Sequence, residues 1–156
     1  MKVAITGGIG SGKSFVCERL RKFGIAVYDC DKAAKRLMRT SVDIQKRLSD
    51  LTGTQVFADG KLQKAVLAAF LLQSKHNAQT INDIVHPAVA ADFECSGYDY
   101  MECAILFDSG FIDRVHIDKV VCVTAPLAER VQRIVQRDHI TPAKAQEWID
   151  RQMPQD

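Results

Sequence analysis

The sequence lacks most of the features that mark membrane, secreted or nucleic-acid-binding proteins. No apolar run approaches the roughly 20 residues that span a bilayer, and residues 1–7 lack the long apolar stretch and cleavage site of a signal peptide. Neither sign of charge is in excess, since 21 basic and 19 acidic residues leave a net charge of +2. The five cysteines are scattered, with no close pair at zinc-site spacing. We therefore expect a cytoplasmic protein with reduced thiols that binds neither nucleic acid nor membranes.

What is present is the composition of one globular domain in which strands alternate with helices. The 156 residues are 47% hydrophobic and 26% charged, which suits a single folded domain. An apolar run at residues 3–6 leads into a glycine-rich turn and a helix with apolar residues at positions 16, 20 and 23. A second apolar run follows at residues 25–28. This order predicts a βαβ unit with parallel strands.

The rest of the pattern predicts a helical insertion within an α/β core. Helical stretches are expected near residues 31–40, 42–52, 61–74 and 77–94, with no strand between them. Apolar runs at residues 101–107 and 119–123 predict two further strands, and final helices are expected at 126–138 and 141–152. Four strands interleaved with helices predict a doubly wound α/β fold with a parallel sheet.

The strongest motif is a glycine-rich loop. Residues 7–14 read G-G-I-G-S-G-K-S and satisfy G-x-x-x-x-G-K-[ST] at every fixed position. Glycines let successive N–H groups face one hollow, where the following helix adds the positive end of its dipole. The Lys13 ammonium can reach the β- and γ-phosphates, and the Ser14 hydroxyl can ligate Mg²⁺. A strand before the loop and a helix after it favour binding of a nucleoside triphosphate over a chance turn. The residues predicted to bind it are Gly8, Ile9, Gly10, Ser11, Gly12, Lys13, Ser14 and Phe15.

Carboxylates follow two of the predicted strands, at the edge where a doubly wound fold binds its ligands. Asp29 and Asp31 come just past the second strand, where one of them could accept a proton from a substrate hydroxyl. Asp31 could equally cap a helix that begins at Lys32. Asp108 ends the third apolar run, where an acid could hold Mg²⁺ directly or through water, or it is a turn residue before a glycine. The spacing leaves these alternatives open.

Arginines and a histidine complete the candidate residues. Arg130, Arg133 and Arg137 share one face of a predicted helix, and they suit either a lid over a triphosphate or a solvated surface. His86 precedes a proline that is expected to begin a new turn between helical stretches, and alone it favours a structural role. Trp148 on the last helix is expected to pack or to contact the lid.

Taken in order, these motifs resemble the dephospho-coenzyme A kinase family over residues 2 to 154. The markers are T-G-G-I-G-S-G-K-S at 6–14, V-Y-D-C-D at 27–31, D-G-K-L at 59–62, H-P at 86–87, I-L-F-D at 105–108, Q-R-D at 136–138 and Q-M-P at 152–154. The sequence departs from the family pattern at Phe15, where threonine is common, at Asp108, where glutamate is usual, and at Trp148, where arginine is common. The family also continues with a strand and a helix beyond the point where this sequence ends.

The resemblance implies a P-loop NTPase-type fold in three parts. These are a nucleotide-binding core at residues 1–30 and 99–125, a helical CoA-binding insertion at 31–98, and a helical lid region at 126–156. It implies transfer of the ATP γ-phosphoryl group to the ribose 3′-hydroxyl of dephospho-CoA, the last step of coenzyme A biosynthesis, by a monomer or weak homo-oligomer that uses Mg²⁺. The roles it implies are catalysis for Asp31, Lys13 and Arg137, acceptor binding for Asp31, Leu62 and His86, and metal binding for Ser14 and Asp108.

Two other functions stay open at the level of the sequence. Another small-molecule P-loop kinase, acting on a nucleoside or nucleotide, would share the loop and the fold. A non-catalytic nucleotide-binding module would bind ATP and need no acceptor. Turnover of ATP that depends on dephospho-CoA separates the enzyme from the module, and a panel of acceptors separates the two kinases.

Overall fold

The computed structural model describes residues 1–154 and divides the chain into two compact units. One unit combines Met1–Asp29 with the described residues from Ser96 onward, and the other is Cys30–Cys95. In chain order the elements are β1 (Val3–Thr6), α1 (Lys13–Lys22), β2 (Val27–Asp29), α2 (Cys30–Thr40), α3 (Val42–Thr52), β3 (Phe57–Ala58), β4 (Lys61–Leu62), α4 (Lys64–Gln73), α5 (Asn77–Cys95), β5 (Tyr100–Glu102), a 3₁₀ turn (Phe111–Arg114), β6 (Lys119–Cys122), α6 (Leu127–Asp138) and α7 (Pro142–Asp150).

The first unit is built on a four-stranded parallel sheet with the strand order β2-β5-β1-β6. All four residues of β1 are buried, as expected for a central strand of a parallel sheet with both faces covered. Ile5 pairs with Glu102 on one side and with Val121 on the other. The carboxyl ends of β1, β5 and β6 therefore meet at one edge, where the glycine-rich loop leaves β1. The parallel α/β fold predicted from the sequence is confirmed.

Apolar clusters within the described residues stabilise this unit. The first consists of Ile5, Cys17 and Val27, which join β1, α1 and β2. The second lies between α6 and α7 and includes Ile134 and Ile149 with the partly buried Trp148 packed against it. The packing role expected for Trp148 is the one observed.

The second unit contains α2 to α5 and a short hairpin. α2 packs against α5 and β4, and α3 and α4 also pack against α5. The expectation of no strand in this region is wrong, because β3 and β4 pair antiparallel across Asp59 and Gly60. Both turn residues have positive φ, 53° and 73°, which is the geometry that an Asp-Gly hairpin turn adopts.

Three differences from the sequence-based expectations affect candidate residues. α2 begins at Cys30 rather than Lys32, so Asp31 lies inside its first turn and does not cap it. His86 and Pro87 lie inside α5 rather than between helices. The strand expected at residues 101–107 ends at Glu102 and is followed by turns. The apolar run suggested a longer strand because it contains Leu106, which is fully buried although it lies in a turn and does not belong to the sheet.

Over residues 1–154, no helix combines the length and the apolar character needed to cross a membrane.

Candidate nucleotide-binding site

The glycine-rich loop connects β1 to α1 and is packed too tightly for side chains at two of its positions. Gly7 has φ +153° and Gly10 has φ +78°, in the region that favours glycine. A Cβ on Gly7 would lie 2.4 Å from the Val123 carbonyl oxygen, and one on Gly10 would lie 2.7 Å from the Arg130 carbonyl oxygen. The glycines therefore let the loop pass against the backbone of the segment after β6 and of α6.

The loop delivers the first turn of α1 without a side-chain cap. Gly12 precedes the helix in a left-handed conformation and no side chain bonds to the first N–H groups. These groups have no acceptor within the helix, so they are open to an anion. The Ser11 hydroxyl is buried and has no hydrogen-bond partner among residues 1–154. Phe15, the last of the residues predicted to bind the nucleotide, is 61% exposed.

Glu102, at the end of β5, binds the lysine and the serine of the loop motif together. Lys13 Nζ lies 2.7 Å from Glu102 Oε1, and the Ser14 hydroxyl donates to the same oxygen at 3.1 Å. Arg21 approaches the other carboxylate oxygen at 3.5 Å. The Lys13 and Glu102 side chains are 13% and 9% exposed, so water screens this pair weakly.

The neighbours of Glu102 keep it ionised although it is buried. Burial alone would raise the pKa of this carboxyl, but hydrogen bonds and charge from Lys13, with the Ser14 hydroxyl, hold it below its usual value. The opposite effect acts on Cys17, where burial and the nearby Glu102 charge raise the pKa of the thiol to about 11. Glu102 is not among the residues predicted from the sequence. Its signal was a glutamate inside an apolar strand, where an unpaired charge is rare.

Asp108 occupies a different place from the one predicted. It lies in the turns that follow β5 and does not end a strand. It lines a cavity of about 270 Å³ together with Thr6, Gly7, Gly8 and Cys122. The acid that ends the buried strand beside the phosphate loop is Glu102, whereas Asp108 faces the same loop from a cavity. Its metal-binding role stays a prediction.

The three arginines of α6 have different environments. Arg130 is buried and its Nε donates to the Ile9 carbonyl oxygen at 3.0 Å. Arg133 donates to the carbonyl oxygens of Gly10 and Ser11, both at 3.1 Å. Arg130 is therefore not part of a solvated face, whereas Arg133 is exposed and also contacts the loop.

Arg137 is more exposed, and over residues 1–154 its side-chain hydrogen bonds go to Asp138 and not to the loop. Its guanidinium donates from two nitrogens to Asp138, with Nη2 2.6 Å from Oδ2. This hydrogen bonding raises the pKa of Arg137 and lowers that of Asp138. Arg137 is thus a charged group already held by a carboxylate, and its catalytic role stays a prediction.

The predicted acceptor residues all belong to the Cys30–Cys95 unit. Asp31 is exposed in the first turn of α2, Leu62 is half-buried in β4, and His86 is buried in α5. Because α2 packs against both β4 and α5, the three elements that carry these residues are neighbours within this unit. Their roles in binding and catalysis stay predictions.

The parallel sheet, the glycine-rich loop between β1 and α1, and Lys13 and Ser14 at its end define a nucleotide-binding protein of the P-loop class. A family model described as dephospho-CoA kinase matches residues 1–156. The chain belongs to the dephospho-CoA kinase family, whose activity is the ATP-dependent phosphorylation of dephospho-CoA in CoA biosynthesis.

Individual proteins and a solved structure are similar to this chain over most of its length. The dephospho-CoA kinase of Bacteroides fragilis strain YCH46 is 43% identical over 160 residues, which cover 98% of this chain and 77% of that protein. The dephospho-CoA kinase of Porphyromonas gingivalis is 41% identical over 142 residues, covering 87% and 69%. A crystal structure of TT1252 from Thermus thermophilus is 30% identical and superposes with a TM-score of 0.78 over 99% of this chain and 81% of that one.

Proposed function

We propose that this chain binds the triphosphate of ATP on the loop at residues 7–14 and transfers its γ-phosphoryl group to the ribose 3′-hydroxyl of dephospho-CoA. The observation that carries the proposal is the meeting of Lys13 and Ser14 on one oxygen of Glu102, next to open N–H groups at the start of α1. Family membership supports the acceptor. In the bound state the Lys13 ammonium leaves Glu102 for the phosphates, and the unpartnered Ser11 hydroxyl gains an acceptor.

In the transfer step, the hydroxyl oxygen of the acceptor forms a bond to the γ-phosphorus while the bond to the β,γ-bridging oxygen breaks. ADP leaves with that oxygen, and the hydroxyl proton passes to the Asp31 carboxylate, which acts as the base. Lys13 stabilises the charge that develops on the phosphoryl oxygens, and Arg137 adds a second cation after exchanging Asp138 for the phosphate. Such reactions depend on positioning and charge neutralisation more than on covalent catalysis.

The oxygen atoms around the loop also suit Mg²⁺. Residues 1–154 contain no cluster of three or more metal-ligating side chains, and this fits an ion held mainly by phosphates and water with one or two protein oxygens. Ser14 Oγ and Glu102 Oε1, which are 3.1 Å apart, are the protein oxygens we assign, with Asp108 acting from the adjoining cavity. When bound, Mg²⁺ neutralises charge on the β- and γ-phosphates.

We also assign the acceptor site to the Cys30–Cys95 unit, because the phosphate loop already accounts for ATP. Binding of dephospho-CoA should therefore slow hydrogen exchange of backbone amides in α2, β4 and α5, measured by mass spectrometry. ADP alone should protect residues 7–16 and leave these elements unchanged. Protection by dephospho-CoA confined to residues 7–16 would contradict the assignment.

The test of the function is ADP release by the purified chain in a coupled assay with ATP and Mg²⁺. Dephospho-CoA should support turnover, whereas adenosine and nucleoside monophosphates at equal concentration should not. The product should carry one additional phosphate, on the ribose 3′-oxygen, by mass spectrometry and phosphorus NMR. Faster turnover with a nucleoside acceptor would overturn the proposal in favour of a different P-loop kinase.

A further inference from the structure

One residue of the phosphate loop, Ile9, is held at both backbone groups by side chains that are distant in sequence. Arg130 Nε donates to its carbonyl oxygen at 3.0 Å, and its N–H donates to Gln152 Oε1 at 2.7 Å. The apolar side chain of Ile9 packs against the cluster formed by Ile134, Ala145 and Ile149. α6, α7 and the residue two positions after α7 thus fix this part of the loop from three directions.

These contacts determine where the next amide points. The peptide bond between Ile9 and Gly10 is trans, so the Ile9 carbonyl and the Gly10 N–H lie in one plane and point in opposite directions. Because Arg130 holds the carbonyl on the α6 side, the Gly10 N–H faces away from α6. No atom of residues 1–154 accepts a backbone hydrogen bond from it. The Gln152 contact fixes the preceding peptide, whose Gly8 carbonyl accepts from Ser11 N–H at 3.1 Å and closes the turn.

Arg130 is a buried charged residue whose side chain pairs with no carboxylate among residues 1–154. Its side chain is buried, with the residue 7% exposed, and over residues 1–154 its only hydrogen bond is to the neutral Ile9 carbonyl. A surface arginine such as Arg151 is instead paired with a carboxylate, that of Glu147. A buried guanidinium is costly unless it is paired or hydrogen-bonded, and the partner that the structure shows is the Ile9 carbonyl.

We propose that Arg130 and Gln152 are positioning residues that hold the peptides on either side of Ile9 so that the Gly10 N–H is oriented toward the bound phosphates. This inference rests on the proposed binding of ATP at residues 7–14. Neither side chain needs to touch the reacting atoms. They spare the loop a peptide reorientation when the nucleotide binds, so their effect falls on nucleotide affinity rather than on the chemical step.

The test uses Arg130→Met and Gln152→Met, with Arg151→Met and Gln146→Met as controls of matched chemistry, whose side chains bond to Glu147 and Asp150 of α7. Calorimetry measures Kd for ADP, and the dephospho-CoA assay measures KM for ATP and kcat. Loss of one buried hydrogen bond should raise Kd and KM by about tenfold in each test variant, with kcat at saturating ATP changed by less than about threefold. Arg130→Lys, which retains a donor, should recover part of the affinity, and the controls should match the wild type.

Two further measurements separate positioning from general stability. The Gly10 amide resonance in a nitrogen–proton NMR spectrum of the ligand-free protein should shift in Arg130→Met and not in Arg151→Met. The double variant should lose less than the product of the single effects, because both contacts hold one residue. The inference is overturned if kcat falls while Kd for ADP is unchanged, since Arg130 would then act on the reacting phosphate, or if all four variants bind ADP alike. ADP binding by a wild-type chain that does not phosphorylate dephospho-CoA would overturn the proposed acceptor and leave the Kd comparison valid.

Discussion

Replacing Glu102 with glutamine isolates the role of charge at the end of β5. In the wild type the Glu102 carboxylate lies 2.7 Å from the Lys13 ammonium. The glutamine amide still accepts a hydrogen bond from Lys13, but the buried ammonium loses its counter-ion. Removing one partner from a buried ion pair costs about 3–5 kcal/mol, and the retained hydrogen bond returns about 1 kcal/mol of this. We therefore expect the free energy of unfolding to fall by about 2–4 kcal/mol, or Tm by roughly 4–16 °C for a chain of this size.

Thermal unfolding followed by circular dichroism measures the effect, and the same variant tests the site. ATP in EDTA should raise Tm more in Glu102→Gln than in the wild type, because Lys13 no longer exchanges a carboxylate for the phosphates. Adding Mg²⁺ should stabilise the wild-type complex further and the variant complex less, since an amide is a poorer ligand than a carboxylate for this ion.

The matched control is Asp50→Asn, which breaks an exposed pair with Lys46 and should change stability by less than about 0.5 kcal/mol. If Glu102→Gln also shifted Tm by no more than this control, the buried pair would contribute nothing and the argument from burial would be refuted. An unchanged response to Mg²⁺ would remove Glu102 from the metal site and leave Ser14 and Asp108 as the candidate ligands.

Three further predictions concern single side chains. Lys13→Ala should lower kcat by about a hundredfold or more while the fold is retained, since one cation on the transferring phosphoryl group is worth about 3 kcal/mol; near-normal turnover at saturating ATP would contradict it. Arg137→Lys should lower kcat at least about tenfold with little change in KM for ATP, because lysine cannot bind two oxygens with a planar fork, whereas Arg151→Lys should have no effect in the same assay. Iodoacetamide at pH 8 should modify the exposed Cys95 and Cys122 in the native protein but not Cys17, which is buried with a pKa of about 11. Tryptic mass spectrometry identifies the modified cysteines. Modification of Cys17 would indicate that the contact between α1 and β5 is absent.

The sequence predicted the fold and the phosphate loop because both depend on local pattern. Apolar runs and glycines at fixed spacing decide the β1–loop–α1 unit within about 20 residues. The hairpin at β3 and β4 had a local signal too, in Asp59 and Gly60, but its strands are only two residues long. Such short strands carry no alternation of apolar and polar residues, so the Asp-Gly turn was the feature of the sequence that could predict the hairpin.

The roles of Glu102, Arg130 and Arg133 could not be predicted from the sequence because they depend on contacts between distant segments. Glu102 pairs with a residue 89 positions away, and its importance follows from the strand ending there rather than at residue 107. Arg130 and Arg133 looked like Arg137 on a helical wheel, but they contact loop carbonyls 121 to 123 residues away. Periodicity identifies which residues share a face of a helix, and it contains no information about what that face meets.

The edge strand β6 affects how the protein behaves when it is concentrated. Over the described part of the chain, β6 pairs with β1 on one side and with no strand on the other, and all four of its residues are exposed, including Val120 and Val121. An exposed apolar edge is a template for strand addition by another molecule, and natural proteins often protect such edges with lysine. Lys119 stands at one end of β6 and no charge interrupts the valines. Val121→Lys is therefore the substitution to make when the chain precipitates at the concentrations that NMR or crystallisation requires.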